Sequence, residues 1–395
     1  MRVEIPLYTE RFGSVMIHDV QRILELDSGK KSMEEKEVTT IHKIERDEIE
    51  EVENKLAIVV PVKEEKLKLL EGVLSGIPHD CVVIVVSNSQ RTPVNRFKME
   101  VDTLARFYRF THRKMLVIHQ KDPGLALAFR ETGYLSILDD KGELVRDGKA
   151  EAMVVGIILA KTVGKNFVGF IDADNYIPGA VNEYVKNFAA GFCMAESPYV
   201  MVRNSWKYKP KVYNSGLYFK KWGRISETTN RYLNLIISNH TGFETEIIKT
   251  ANAGEHAMSI QLAEILEYSS GFSVEPFELL YILEEFGGLK PTSYPEVIEK
   301  GVEIFQIETR NPHFHEDKGE KHLKEMLLMS LSVVYHSPLC DQNLKSIILN
   351  ELVSQNILDE GSQPPKPPVM PPLRSVNIQT FAEKLTEAKT FTVFE

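Results

Sequence analysis

The stretch Gly169-Phe170-Ile171-Asp172-Ala173-Asp174-Asn175 combines a short apolar run with two carboxylates directly after it. Such a run is typical of a strand that is buried on both faces of a parallel sheet. Side chains two residues apart on an extended chain point to the same side, so Asp172 and Asp174 are expected to face one cleft. Paired carboxylates suit a hard divalent cation that also binds phosphate oxygens. The alternative is a solvated turn after a strand.

Strand and helix patterns alternate on the amino-terminal side of this stretch. Continuous apolar runs predict strands at residues 56–60, 82–86, 115–119 and 168–171. Helical spacing of apolar residues predicts helices at 63–74, around 101–108 and at 151–161. This alternation predicts an α/β fold with a Rossmann-like, mainly parallel sheet flanked by helices. Ligands of such sheets bind at the carboxyl ends of the strands.

The rest of the chain is predicted to be mostly helical. Further helices are expected at 182–191, 254–268 and 321–336, and a strand at 199–202. Six prolines fall between residues 364 and 372, which predicts an extended strap leading to a short helix at 381–389. Asn252 is expected to cap the helix of 254–268, and the free amides there would form a seat for an anion.

Composition excludes several classes of protein. The chain has 395 residues, 43% of them hydrophobic, and a net charge of -9, which argues against general nucleic-acid binding. No apolar stretch approaches the roughly 20 residues of a membrane span. The three cysteines share no close spacing, which suits a reducing cytoplasm and excludes a Cys-x-x-Cys zinc site. Dinucleotide, phosphate-loop, nucleophile-elbow and His-Glu-x-x-His motifs do not occur.

The segment 203–231 is strongly basic within this acidic chain. It has eight Lys and Arg residues against a single acid, Glu227, and it contains both tryptophans. A local excess of positive charge predicts an anionic ligand. Arg203 follows a predicted strand and is the best-placed base, because a guanidinium binds phosphate or carboxylate through two hydrogen bonds.

Histidines near residue 313 are further candidates for metal ligands. His313 and His315 project to the same side of an extended segment, and either could complete a site with Asp174. The sequence does not distinguish between the two. The alternative is a pair of surface histidines.

Polar residues also follow the earlier strands. They are Pro61-Val62-Lys63-Glu64-Glu65, Ser87-Asn88-Ser89 and His119-Gln120-Lys121-Asp122. Each group alone is more typical of a cap or turn. Together with the Asp172/Asp174 pair they predict a nucleotide site along one edge of the sheet.

These motifs, in this order, resemble those of GT-A glycosyltransferases. The whole chain more closely resembles the mannosyl-3-phosphoglycerate synthase family, including the segment Arg310-Asn311-Pro312-His313-Phe314-His315-Glu316. The resemblance implies a retaining enzyme that moves mannose from GDP-mannose to the 2-hydroxyl of 3-phosphoglycerate. It also implies a divalent metal, usually magnesium, and a role in mannosylglycerate synthesis in the cytoplasm.

The resemblance implies roles for particular residues. Asp172 and Asp174 would be catalytic, with Asp174 and either His313 or His315 holding the metal. The residues implied at the nucleotide-sugar site are Pro61, Val62, Glu64, Glu65, Ser87, Asn88, Lys121, Asp172 and Ala173. Those implied at the acceptor site are Arg203, Asn252, Gly254 and His256.

The implied organisation has four portions. They are a polar N-terminal extension (1–54), a nucleotide-sugar-binding α/β portion (55–200), an acceptor and metal-completing portion (201–362), and a proline-rich strap with a C-terminal helix (363–395). The expected partners are GDP-mannose and 3-phosphoglycerate, with no nucleic acid and no membrane; a homodimer is left open.

Three alternatives remain at this point. A glucosyl-3-phosphoglycerate synthase would share the motifs, because sugar and base selectivity depend on the shape of the pocket. A haloacid-dehalogenase-type phosphatase also uses Asp-x-Asp, but on its first strand and with a further acidic pair. A non-catalytic module could bind an anion or nucleic acid on residues 203–231.

Overall fold

The computed structural model describes residues 1–26, 41–175, 177–206, 209–213, 216–220, 224–313 and 319–395, with the side chains of 209–213, 216–220 and 224 left out. The strands are β1 (Arg2–Glu4), β2 (Thr9–Phe12), β3 (Val15–His18), β4 (Gln21–Glu25), β5 (Ile41–Lys43), β6 (Leu56–Val62), β7 (Val82–Ser87), β8 (Met115–His119), β9 (Phe167–Phe170), β10 (Val200–Trp206), β11 (Lys209–Tyr213), β12 (Gly216–Lys220), β13 (His256–Ser259), β14 (Tyr268–Ser269), β15 (Val302–Thr309), β16 (Val369–Met370) and β17 (Thr392–Phe394).

The helices alternate with the central strands and then dominate the C-terminal half. They are α1 (Arg46–Asn54), α2 (Leu67–Gly76), α3 (Arg96–Thr111), α4 (Pro123–Glu131), α5 (Lys149–Thr162), α6 (Pro178–Met194), α7 (Arg224–Thr241), α8 (Ile260–Ala263), α9 (Val274–Phe286), α10 (Pro295–Lys300), α11 (Glu320–His336), α12 (Gln342–Ser354) and α13 (Ile378–Leu385). Of the helices in the described ranges, none is long and apolar enough to span a bilayer.

Within the described residues, a 13-stranded sheet has the order β17-β8-β7-β6-β9-β13-β10-β15-β4-β1-β5, with β3 beside β15 and β2 beside β3. Strands β8, β7, β6, β9, β10, β15, β3, β4 and β5 run one way, and β17, β13, β1 and β2 run the other way. The predicted α/β class with a mainly parallel sheet and flanking helices is therefore confirmed. Strands β6 to β9 are apolar on both faces because helices cover both sides.

Two hydrophobic clusters cover the sheet. One includes the nearly continuous buried surface of α5, from Ala150 to Ala160, with residues of α9 and α11. The other is formed by α1, α2 and α6 on strands β6, β7 and β10. A helix buried all round carries no amphipathic stripe, which explains the continuous apolar sequence of α5.

The predicted helix at 254–268 is wrong. Residues His256–Ser259 form β13, which lies between β9 and β10, and only the four residues Ile260–Ala263 are helical. A strand buried on both faces and a buried helix give the same apolar sequence signal, so periodicity could not separate them. The expected helix cap at Asn252 and the amide seat beside it fail for the same reason.

Strands from all four predicted portions contribute to the one sheet. Val15 of β3 pairs with Val302 of β15, and the Met1 amino group donates to the Ile44 carbonyl oxygen at 2.7 Å. The N-terminal residues are therefore part of the core, and β17 at the far end covers the edge of β8. The boundaries of the four portions stay a prediction.

Candidate active site

The carboxyl ends of four neighbouring parallel strands form one edge of the sheet. In the order β8, β7, β6, β9, they lead into Lys121, Asn88, Glu64 and Asp172. Adjacent strands lie about 4.8 Å apart, so these four positions span roughly 14 Å. The structure thus brings the predicted nucleotide-site segments to one edge.

Two serines of this edge are used to hold a buried carboxylate. The Ser87 and Ser89 hydroxyls each donate to a different Glu100 oxygen, both at 2.6 Å. Burial raises the pKa of Glu100, and the two hydroxyls partly offset that effect. Ser87 is fully buried, so this side chain shapes the strand end from below.

Glu64 occupies the turn after β6 in a left-handed conformation, with φ 61°. The Glu64 amide donates to the Ser89 hydroxyl at 2.8 Å, and the Glu64 carboxylate lies 3.8 Å from Arg96 Nε. Arg96 also donates to the Glu65 carbonyl at 2.6 Å. Non-glycine residues are uncommon in this conformation, which often occurs at functional turns.

Pro61 and Val62 form the end of β6 itself. Pro61 is half-buried, whereas Val62 is buried, and their register partners on β7 are Val86 and Ser87. The Asn88 amide donates to the Val62 carbonyl at 2.8 Å. These residues therefore position the edge mainly through the backbone.

Lys149, at the start of α5, bridges two acids at this edge. Its ammonium lies 2.7 Å from Asp172 Oδ1 and 2.9 Å from Glu275 Oε1. Burial alone would lower the pKa of Lys149, but attraction to Asp172 and Glu275 outweighs it and raises that pKa well above its usual value. Lys149 was absent from the sequence prediction, as was Glu275.

A second network joins Asn175, Glu255 and His313. The Asn175 side-chain amide donates to Glu255 Oε1 at 2.9 Å, and His313 Nδ1 lies 3.9 Å from that same oxygen. Burial, and then the negative charge of Asp172, raises the pKa of the Glu255 carboxyl to about 8. The charge of Asp174 acts in the same direction.

The side chains around the end of β9 are of the types that bind a divalent cation. Asp172 and Asp174 are half-buried, Glu255 and His313 are buried, and together they offer carboxylate oxygens and an imidazole. In the described ranges, no three His, Cys, Asp or Glu side chains lie close enough to hold a metal ion. His315 lies outside the described residues, so the metal set stays a prediction.

The structure places Arg203 and His256 in the core instead of in a cleft. Both are fully buried. The Arg203 guanidinium donates to the Thr250 and Ala251 carbonyls at 3.0 and 3.1 Å. Both side chains also approach the buried Glu278, at 3.6 Å from Arg203 and 3.0 Å from His256. Direct contact of these two residues with an acceptor is therefore not supported.

Arg203 and His256 hold the turn of residues 250–254, and this turn does reach the site. His256 Nδ1 lies 3.0 Å from the Ala253 carbonyl oxygen. A Cβ on the next residue, Gly254, would lie 2.8 Å from Asp172 Oδ2. Asn252, half-buried in the same turn, donates to the Ser330 hydroxyl at 2.9 Å. Most bases of the segment 203–231 lie outside the described side chains.

Comparison with known proteins identifies the family. The sequence model described as mannosyl-3-phosphoglycerate synthase matches residues 5–385. The chain belongs to the mannosyl-3-phosphoglycerate synthase family. The chain is 52% identical over 380 residues to the mannosyl-3-phosphoglycerate synthase of Pyrococcus furiosus, covering 96% of this chain and 95% of that protein. It is 38% identical over 389 residues to that of Aeropyrum pernix, covering 98% of both.

Membership of the mannosyl-3-phosphoglycerate synthase family confirms the prediction of a glycosyltransferase. Among solved structures, the chain is similar to glucosyl-3-phosphoglycerate synthase from Mycobacterium tuberculosis in complex with uridine diphosphate. The TM-score is 0.49 at 16% identity, covering 84% of this chain and 96% of that chain.

Proposed function

We propose that this chain transfers mannose from GDP-mannose to the 2-hydroxyl of 3-phosphoglycerate, with retention at the anomeric carbon. The transfer would require a divalent metal ion, with magnesium as the first candidate. Two things support this proposal. One is membership of the mannosyl-3-phosphoglycerate synthase family. The other is the ion-paired cluster of Lys149, Asp172 and Glu275 at the carboxyl end of β9, which carries the proposal structurally.

The charge of this cluster explains why a metal would be needed. Asp172 and Glu275 are paired with the Lys149 ammonium, and the charges of Asp172 and Asp174 both act on the buried Glu255. Among the described side chains, these four carboxyl groups outweigh the positive charge of Lys149 and would repel a diphosphate, even with Glu255 protonated. A divalent ion held by Asp174 with His313 or His315 would neutralise the departing diphosphate as a Lewis acid.

The chain's own residues would then orient the two substrates. Asp172 is fixed by Lys149, so its remaining oxygen is held beside Gly254. Lys149 would place positive charge beside the diphosphate oxygens as the glycosidic bond breaks. Same-face attack, with the acceptor proton passing to the departing diphosphate, would account for retention without a protein nucleophile.

The acceptor would bind beside the turn of residues 250–254. Gly254 has no side chain, which lets this turn lie close against Asp172 and Lys149, and Asn252 is half-buried in the same turn. Arg203 and His256 would support this turn from the core through the carbonyls of Thr250, Ala251 and Ala253.

The three cysteines are free thiols, which suits the proposed cytoplasmic location.

The test is GDP release on mixing the protein with GDP-mannose, 3-phosphoglycerate and magnesium, omitting each component in turn. Release that needs all three components is the expected result. Release with GDP- or UDP-glucose in place of GDP-mannose would favour a glucosyl transfer. No release with any of these donors would contradict the proposal.

A further inference from the structure

Asp147 lies beside the carboxyl ends of β7 and β8, away from Asp174 along the same edge of the sheet. Two residues of the predicted nucleotide site hold it there. Its Oδ1 accepts from the Asn88 side-chain amide at 2.9 Å and lies 3.4 Å from Lys121 Nζ. The side chain is nevertheless 68% exposed. Asp147 therefore presents a fixed carboxylate to solvent.

The backbone on both sides of Asp147 is clamped as well. Gln120 donates its side-chain amide to the Arg146 carbonyl at 2.5 Å and reaches the Gly148 carbonyl at 3.3 Å. Lys121 donates to the Val145 carbonyl at 2.7 Å. An aspartate whose backbone and one carboxylate oxygen are fixed is pre-organised for a ligand, because binding requires little further ordering of the side chain.

The segment 145–149 runs along the whole edge. Lys149 at one end contacts Asp172 after β9, whereas Asp147 contacts residues after β7 and β8. The strand ends that these two side chains contact lie roughly 10–14 Å apart, a span that suits a nucleoside diphosphate laid along the edge. With the diphosphate at Lys149 and Asp172, the base would lie at Asp147.

We propose that Asp147 is the residue that recognises guanine, by accepting hydrogen bonds from the N1–H and the 2-amino group of the base. This inference rests on the proposed function and assigns its base selectivity to one side chain. A carboxylate has two acceptor oxygens, which match the two adjacent donors of guanine. Lys121 lies beside it, and an ammonium has three donors, of which Val145 and Asp147 account for two; the third suits guanine O6.

Other bases would fit this carboxylate poorly. Adenine presents its N1 acceptor to the carboxylate, and uracil presents one N–H flanked by two carbonyl oxygens. Hypoxanthine keeps N1–H but lacks the 2-amino group, so it differs from guanine by a single hydrogen bond. Leaving one oxygen of a charged acceptor unmatched lowers affinity by about 10- to 100-fold.

The experiment compares GDP-mannose with IDP-mannose as donors. The kcat/KM ratio of the two is measured for the wild type, Asp147→Ala and Asp147→Asn. Asp140→Asn is the matched control, since Asp140 is an exposed aspartate of the preceding loop. We expect the wild type and Asp140→Asn to prefer GDP-mannose by about 10- to 100-fold. The ratio should fall close to one in Asp147→Ala, with an unchanged KM for 3-phosphoglycerate.

A wild-type ratio near one, or a ratio that survives in both Asp147 variants, would overturn the inference. Calorimetric measurement of GDP and IDP binding to the same proteins separates failure of the base assignment from failure of the proposed function. If the wild type turns over neither donor yet binds GDP more tightly than IDP, and Asp147→Ala loses that difference, the base assignment stands and the transfer reaction does not.

Discussion

The ammonium of Lys149 lies 2.7 Å from Asp172 Oδ1, which joins the start of α5 to the end of β9. The two residues are 23 positions apart in sequence, and the same lysine reaches Glu275 from α9. This contact fixes one acid of the Asp172/Asp174 pair and brings positive charge to the place where a diphosphate would depart.

Replacing Lys149 with methionine should therefore lower kcat/KM for the donor by about 100- to 1,000-fold, as loss of one charge-stabilising donor does. Lys161 is a matched control, because it lies on the same helix and pairs with Glu264 away from the site. Lys161→Met should keep donor kcat/KM close to that of the wild type. Equal kcat/KM for the two variants, measured below their melting temperatures, would contradict the role given to Lys149.

Asp174→Ala should abolish turnover, because the metal would lose a carboxylate ligand. Its effect on stability should be small or favourable, since the charge of Asp174 raises the pKa of the buried Glu255. Removing that repulsion should leave the melting temperature unchanged or higher. GDP release and thermal unfolding test both points, with Asp359→Ala, an exposed aspartate, as control. Near-normal rates in saturating magnesium would exclude Asp174 as a ligand.

The main strands and the acidic pair could be predicted from sequence for physical reasons. β6, β7 and β8 are short apolar runs buried on both faces, and a parallel sheet leaves them no polar alternation. Asp172 follows such a strand directly, so the edge where it lies is determined by the chain direction. The helix Glu320–His336 was likewise predicted within one residue at its start.

Other parts of the site depend on contacts between distant residues. Lys149 begins a helix, and a lysine there is usually solvated, so nothing local predicts its pairing with Glu275. Arg203 was expected to bind the acceptor because it follows a predicted strand and a guanidinium binds an anion through two hydrogen bonds. Its burial depends on Glu278 and on a carbonyl 47 residues away. His256 was misplaced because β13 has the apolar pattern of a helix.

The C-terminal segment should affect donor binding through Thr390. Its hydroxyl and amide donate to Asp122 Oδ2 at 2.6 and 2.8 Å, and its hydroxyl oxygen accepts from the His119 amide at 3.1 Å. Lys121 lies between these two partners. Thr390→Val should cost about 1–3 kcal/mol of stability, because the buried Asp122 loses a hydrogen bond, and should raise the donor KM.

Thr390→Ser restores the hydroxyl and should recover both stability and donor KM. Thr386→Val, which removes an exposed hydrogen bond to the Glu383 carbonyl, is the control. Urea unfolding and donor KM are the measurements. A donor KM that stays at the wild-type value in Thr390→Val would mean that this C-terminal contact stabilises the fold alone.

Stability should fall in acid partly through His18. Burial lowers the pKa of His18 to about 4, and its ring packs on Phe305 at 4.4 Å between centroids. In the unfolded chain a histidine has a pKa of about 6.5. Between pH 6.5 and pH 4 the unfolded chain therefore binds more protons than the folded protein. The free energy of unfolding falls as pH decreases through this range, by up to about 1.4 kcal/mol per pH unit. His18→Phe should remove this component.

Urea unfolding of the wild type and His18→Phe between pH 7 and pH 4.5 measures the difference, with the exposed His79→Gln as control. The free energy of unfolding of the wild type should decrease relative to His18→Phe as pH falls. Parallel curves would show that burial does not lower the pKa of His18.

Gly254→Ala should impair catalysis more than folding. A Cβ at this position would lie 2.8 Å from Asp172 Oδ2 and 3.1 Å from Lys149 Nζ, whereas one at Gly179 would meet nothing within 4 Å. The methyl group has to displace one member of the Lys149–Asp172 pair, and a misplaced group costs large factors in rate. We expect kcat/KM to fall at least about tenfold, with Gly179→Ala close to the wild type. Equal activity of the two alanine variants would mean that Asp172 can move without loss of function.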